Sequence, residues 1–191
     1  MIFGFTGRKR SGKNTAAEML AEILGTDASA LIAYADPLKA ATVGLDPWIP
    51  LGDGGWSRLS DVIATHGWEA AKDAYPEVRR TLQRFGTEAV RENIGQDTWI
   101  RLMDDRIDDL TSDSLHVLVT DIRFPNEAEL IKEWGGTLIR IERDTQQDGE
   151  SDHVSEAGLD KIPYDYTIDN NGTLDDLRAA MAHLHFEVTR G

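Results

Sequence analysis

The sequence predicts an α/β fold in which a five-stranded parallel sheet is flanked by helices. Short apolar runs of strand length recur along the chain, and stretches with helical spacing separate them. Strands that alternate with helices build a parallel sheet covered on both faces. A glycine-containing loop joins the first apolar run to the first helical stretch.

Taken in order, residues 2–6 form an apolar run that ends at a glycine and reads as a buried strand. Ala16, Ala17, Leu20, Ile23 and Leu24 then recur at helical spacing, with Gly25 as a stop. Residues 31–35 form the second strand, closed by Asp36-Pro37. The stretch 44–73 departs from the pattern, with Pro47, Pro50, glycines within 52–55 and tryptophans at 48, 56 and 68. It reads as an insertion-like excursion within a single domain of residues 1–191. Pro76 suits the first turn of a helix, whose apolar stripe would be Val78, Leu82, Phe85 and Ala89, in a helical region over 76–112. Residues 115–120 form the third strand, 126–134 a helix stopped by Gly135-Gly136, 137–141 the fourth strand and 166–168 the fifth. Thr173 is the expected N-cap of the last helix, with Asp175 and Asp176 where the helix dipole favours negative charge. Its face would be Leu174, Leu177, Met181, Leu184 and Val188.

A formal net charge of −14 argues against nucleic acid polymers or an anionic membrane as partners. Any small anionic ligand then needs local cationic focusing. Basic residues do cluster: Arg8, Lys9, Arg10 and Lys13, then Arg79, Arg80, Arg84 and Arg91, then Arg140 and Arg143. Such runs are equally compatible with solvated faces. The absence of cysteine excludes disulfides, thiolate metal sites and thiol catalysis. The apolar start is too short for a secretory signal and no run reaches membrane-span length, so the expected location is the cytoplasm.

The stretch GRKRSGKNT, residues 7–15, puts Gly7, Gly12 and Lys13 in register with the phosphate loop G-x-x-x-x-G-K-[ST]. Gly7 and Gly12 permit the dihedrals that turn the N–H groups of Arg8, Lys9, Arg10, Ser11, Gly12 and Lys13 toward phosphate oxygens. The following helix adds its positive end, and Lys13 would reach the β- and γ-phosphates. Asn14 occupies the hydroxyl position, and the hydroxyl arrives one place late at Thr15. The Asn14 amide oxygen suits Mg²⁺ or a metal-bound water, and Thr15 suits an α-phosphate.

Steps of four after Pro76 meet Arg79, Gln83, Thr87 and Arg91, with Gly86 leaving room for close approach. Guanidinium groups bind phosphate bidentately, and Gln83 can read a base edge. Ion pairing with Glu88, Glu92 or aspartates is the plainer role for Arg79 and Arg91. Trp99 suits either stacking on a base or the core. Asp121 lies where parallel strands present ligand-facing residues, fit to hold a magnesium-bound water or a substrate hydroxyl. Arg123 and Glu127 follow, and Asn126 and Glu127 equally suit a helix start. Arg143 opens a polar segment, 143–156, with His153 and Glu156 near its end. As a lid it would exclude water and bring a cation to a migrating group; as an ordinary surface loop it would do neither.

Six blocks in order, GRKRSGKNT, YADPLKA, RRTLQRFGTEAVR with Trp99 after it, TDIRFPNEAEL, DHVSEAGLD and TIDNNGTLDDL, resemble the bacteriophage deoxynucleoside monophosphate kinases. These are a branch of the P-loop kinases. The resemblance implies transfer of the γ-phosphoryl of ATP to a deoxynucleoside 5′-monophosphate with Mg²⁺, in a P-loop kinase fold with a helical substrate-binding excursion and a lid. It implies that Lys13 and the loop hold ATP. Asp36 and Lys39, with Arg79, Gln83, Thr87, Arg91 and Trp99, would hold the monophosphate. Asp121, Arg123 and Glu127 would line the cleft, and Arg143 would be the lid cation. Asn170 and Asn171 precede the last helix, where related kinases pass the adenine. The family usually reads G-K-D-T, so Asn14 removes a negative charge while the late threonine follows the family's habit. Its partners would be small nucleotides, and a homodimer stays open. Rival readings are a P-loop kinase of phosphomevalonate, dephospho-coenzyme A or gluconate, and a non-catalytic nucleotide sensor.

Overall fold

The computed structural model describes residues 1–144 and 159–190. The chain divides into two compact units, Met1–Tyr34 with Met103–Gly191, and Ala35–Leu102.

The first unit holds a five-stranded sheet in the order β2-β5-β1-β6-β7. Its strands are β1 (Ile2–Thr6), β2 (Ser29–Ile32), β5 (His116–Ile122), β6 (Thr137–Glu142) and β7 (Tyr166–Asp169). Every pairing in it is parallel. All five expected strands are present; the second lies two to three residues earlier than expected, and the third runs on to Ile122, so that it includes Asp121. The second strand ends at Ile32, and Asp36-Pro37 lies in the first turn of helix α2 (Ala35–Leu45). A proline there sacrifices no hydrogen bond, because first-turn N–H groups have no intrahelical partner.

Side chains alternate across β1. Phe3 and Phe5 are fully buried in one core with Ala17 and Leu20 of α1 (Lys13–Leu24) and Leu177, Met181 and Leu184 of the last helix (Leu174–Arg190). Burying each such large side chain is worth about 1.5–3 kcal/mol. Gly4 faces the other way, where an added Cβ would lie 3.3 Å from Ile131 of α6 (Pro125–Glu133). Helices therefore cover both faces, as the alternating pattern requires. Leu174 is 65% exposed, so the buried face of the last helix begins one turn later than its spacing suggests.

The second unit begins with α2. The excursion 44–73 contains an antiparallel hairpin, β3 (Trp48–Pro50) with β4 (Trp56–Arg58), and most of α3 (Leu59–Ala74), which breaks at Gly67. Ile49, Leu59, Val62 and Ala71 form a second core with Val78 of α4 (Pro76–Gln83). The helix then widens into a π-helix over Arg84–Arg91, and α5 (Thr98–Ser112) follows. In a π-helix the N–H reaches back five residues, as Glu92 N–H does to the Thr87 carbonyl at 3.0 Å. The wider turn shifts the apolar stripe by one residue. Val90 is buried and Ala89 is exposed, which corrects the α-helical expectation. Among the described residues, no helix is long and apolar enough to cross a membrane.

Candidate active site

The loop after β1 has the backbone that its glycines predict. Gly7 and Gly12 have φ of 143° and 95°, and Arg10 also takes a positive φ of 62°. Lys13 folds back over the loop, its Nζ donating to the Gly7 carbonyl at 2.8 Å and to the Arg8 carbonyl at 2.7 Å. The ammonium is thereby held above the backbone cradle. Arg8, Lys9, Arg10 and Asn14 are exposed and Thr15 is half-buried. The hydroxyls of Thr6 and Ser11 are buried without a hydrogen-bond partner. A substitution at Gly7 would push a Cβ to 2.3 Å from the Ile141 carbonyl oxygen. The residue after β1 must therefore be glycine for steric as well as dihedral reasons.

Asn170 braces this loop from β7. It is 7% exposed, and its Nδ2 donates to the Ser11 carbonyl at 2.8 Å. Its neighbour Asn171 accepts from the Asp144 N–H at 2.8 Å, next to the exposed Arg143. The rest of the expected lid, with His153 and Glu156, lies outside the described residues.

Asp121 sits inside β5, beside an irregularity in its pairing with β1. Gly4 pairs with Val119 and Thr6 with Ile122, so β5 carries one extra residue there. Bulges of this kind re-aim side chains near functional sites. The Asp121 Oδ1 accepts the Tyr34 N–H at 2.7 Å. Arg123 is exposed. Glu127, expected to line a substrate cleft, is 2% exposed, and its Oε2 accepts the N–H groups of Arg123 at 2.8 Å and Phe124 at 3.2 Å. Its carboxylate caps the start of α6 and fixes the turn that carries Arg123.

In the second unit Arg79, Gln83, Thr87 and Arg91 are all half-buried, while Arg80, Arg84, Glu88 and Glu92 are all exposed. Spacing by four thus survives as two distinct rows, because the π-helix brings every fourth residue nearly into line. Arg79 pairs with Asp73 at 3.3 Å and Lys39 with Asp36 at 3.7 Å. Lys39 also lies 6.0 Å from the centre of the Trp68 ring. Trp99 corrects the stacking expectation. It is 6% exposed and its indole N–H donates to the Gly86 carbonyl at 3.0 Å, which leaves no open ring face. The room beside Gly86 is taken too, since an added Cβ would meet Leu38 Cδ2 at 2.8 Å.

The sequence profile of deoxynucleotide monophosphate kinase matches residues 61–181. The chain belongs to that family. This kinase is 31% identical to a protein of Acanthamoeba polyphaga mimivirus that carries the same family name, over 92% of this chain and 91% of that one. It is 32% identical to the deoxynucleotide monophosphate kinase of Enterobacteria phage T4, over 64% of this chain and 48% of that one. This kinase therefore matches about half the length of the T4 protein. Dephospho-CoA kinase from Campylobacter jejuni superposes over 100% of this chain and 98% of its own with a TM-score of 0.52. At 18% identity that likeness establishes the fold alone, a P-loop kinase fold.

The chain is thus an enzyme of a kinase family named for deoxynucleotide monophosphates. Sequence reasoning missed the brace at Asn170 and the tie between Trp99 and Gly86. Both join residues far apart in the chain, and neither leaves a local pattern. Among the described residues no group of three or more His, Asp or Glu could hold a metal ion.

Proposed function

We propose that this kinase moves the γ-phosphoryl of ATP directly onto a phosphate oxygen of a deoxynucleoside 5′-monophosphate, in line and without a covalent enzyme intermediate. The bond from the γ-phosphorus to the bridging oxygen of ADP breaks as the bond to the acceptor oxygen forms. That acceptor oxygen is already ionised, so no strong general base is required. Positioning and charge neutralisation then carry the catalysis.

The observation that carries this reading is the seat of Lys13. Its ammonium is held by the Gly7 and Arg8 carbonyls over a loop of positive-φ residues. In our reading it follows the charge that builds on the β–γ bridge, while the N–H groups of residues 8–13 bind phosphate oxygens. Arg79, Gln83, Thr87 and Arg91, with Asp36 and Lys39, take the monophosphate and its base, and Arg123 and Arg143 supply cations to the migrating group. Trp99 and Glu127 serve by holding backbone in place. Mg²⁺ is a hard cation that takes oxygen ligands and neutralises phosphate charge when bound. The exposed amide of Asn14 and the carboxylate of Asp121 are donors of that kind, and these residues would hold it directly or through water. The expected setting is the cytoplasm, with small nucleotides as partners.

Phosphorylation assays with ATP and a panel of deoxynucleoside and ribonucleoside monophosphates test the reading, with phosphomevalonate, dephospho-coenzyme A and gluconate as rivals. Turnover of at least one deoxynucleotide, lost in Lys13→Ala with the fold intact by circular dichroism, is the expected result. Turnover of none of the nucleotides would refute it.

A further inference from the structure

We propose that Asn170 is a positioning residue that aims one phosphate-binding N–H of the loop, and that Gly12 and Asn170 form a matched pair. The proposal rests on the reading of residues 7–15 as the ATP phosphate loop. Asn170 is buried at the end of β7, and its Nδ2 donates to the Ser11 carbonyl at 2.8 Å. A trans peptide is planar, with C=O and the next N–H pointing in opposite directions. Holding the Ser11 carbonyl toward Asn170 therefore turns the Gly12 N–H away from it, toward the side where the loop receives phosphate. Without that anchor the Ser11–Gly12 peptide is free to rotate, because glycine restricts it little.

Gly12 is shaped to this contact. Its φ of 95° already disfavours other residues, and an added Cβ would lie 2.2 Å from Asn170 Nδ2. The close approach of the asparagine is a second and separate reason for the glycine. The backbone of Asn170 is also fixed, since its N–H donates to the Glu142 carbonyl at 2.7 Å. Asn171 then accepts the Asp144 N–H at 2.8 Å. The two asparagines thus tie the phosphate loop to the exit of β6, on either side of Arg143, so that loop and arginine share one support.

Asn170→Asp keeps the shape and replaces the donor with an acceptor facing the Ser11 carbonyl, while Asn170→Ala removes the contact. Both should raise the KM for ATP about tenfold or more, in line with the loss of one phosphate donor. The Kd for a non-hydrolysable ATP analogue, by calorimetry, should rise alike, with the KM for the monophosphate within twofold of the wild type. Asn170→Ser, a shorter donor, should recover part of the loss. A merely structural role would lower the active fraction without moving either constant. Unchanged ATP constants in the folded variants, with Lys13→Ala still inactive, would overturn the proposal and leave the loop reading standing. If Lys13→Ala also kept full activity, the loop reading itself would fall. Should the variants not fold, wild-type NMR decides. The Asn170 side-chain amide should show one slowly exchanging, strongly shifted proton, and solvent-like exchange would overturn the proposal.

Discussion

The indole N–H of Trp99 donates to the carbonyl of Gly86 at 3.0 Å inside the second unit. Gly86 lies within the π-helix Arg84–Arg91, with Leu38 packed where its side chain would be. π-turns are rare and are found frequently at functional sites. This one has an evident use, because it keeps Arg79, Gln83, Thr87 and Arg91 on one half-buried row. Trp99 and Leu38 hold the backbone turn on which that row depends.

Trp99→Phe keeps most of the ring and removes the indole donor, leaving the Gly86 carbonyl to its place in the π-helix alone. The expected loss is about 0.5–1.5 kcal/mol of stability, against about 3–5 kcal/mol for Trp99→Ala. Urea denaturation measures both. The monophosphate KM should rise in Trp99→Phe while the ATP KM holds. Wild-type stability in Trp99→Phe would show that the hydrogen bond supports nothing.

Gly86→Ala forces a methyl against Leu38 Cδ2, where a Cβ would sit at 2.8 Å. Overpacking of this kind costs about 1–3 kcal/mol. Leu38→Ala should relieve much of that cost, so the double variant should be more stable than the sum of the two losses predicts. Simple additivity in thermal or urea unfolding would mean that the two side chains do not compete for the space.

Arg79→Ala separates binding from folding. Its ion pair with Asp73 is surface-exposed and contributes about 0–1 kcal/mol to stability. A guanidinium bond to a phosphate is worth about 1.5–3 kcal/mol, which is roughly a 10- to 100-fold rise in the monophosphate KM. Steady-state kinetics with each substrate varied in turn would show it. A change confined to the ATP KM would contradict the placement of the monophosphate on this row.

Much of this could be read from local pattern. The phosphate loop was legible because glycines and a lysine at fixed spacing follow an apolar strand, and each strand core was legible because apolar residues are contiguous. Errors arose where tertiary structure chose between local options. Asp36-Pro37 reads as a strand stop, yet the same pair suits a helix start, and α2 takes it that way. Ala89 and Val90 exchange places because the α-helical period does not hold through a π-turn. The role of Asn170 had no local sign at all, since its partner Ser11 lies 159 residues away.

Thr173 and Asp176 give the last helix a reciprocal cap whose strength depends on pH. The N–H and Oγ1 of Thr173 donate to the Asp176 Oδ2 at 2.8 Å and 2.7 Å, and the Asp176 N–H donates back to the Thr173 Oγ1 at 3.2 Å. The Thr173 hydroxyl first, and its N–H second, hold the Asp176 carboxyl below its ordinary 3.8. In acid the unfolded chain therefore takes up this proton before the folded one does. The contribution is complete above the ordinary value and is lost as pH falls through the lower folded value. Thr173→Ala should cost about 1 kcal/mol at neutral pH, and Thr173→Ser should restore most of it. Below about pH 4 the gap between wild type and Thr173→Ala should narrow as the carboxylate is neutralised. Urea denaturation from pH 7 down to pH 3 would show this, and a gap that stays constant over the whole range would rule the linkage out.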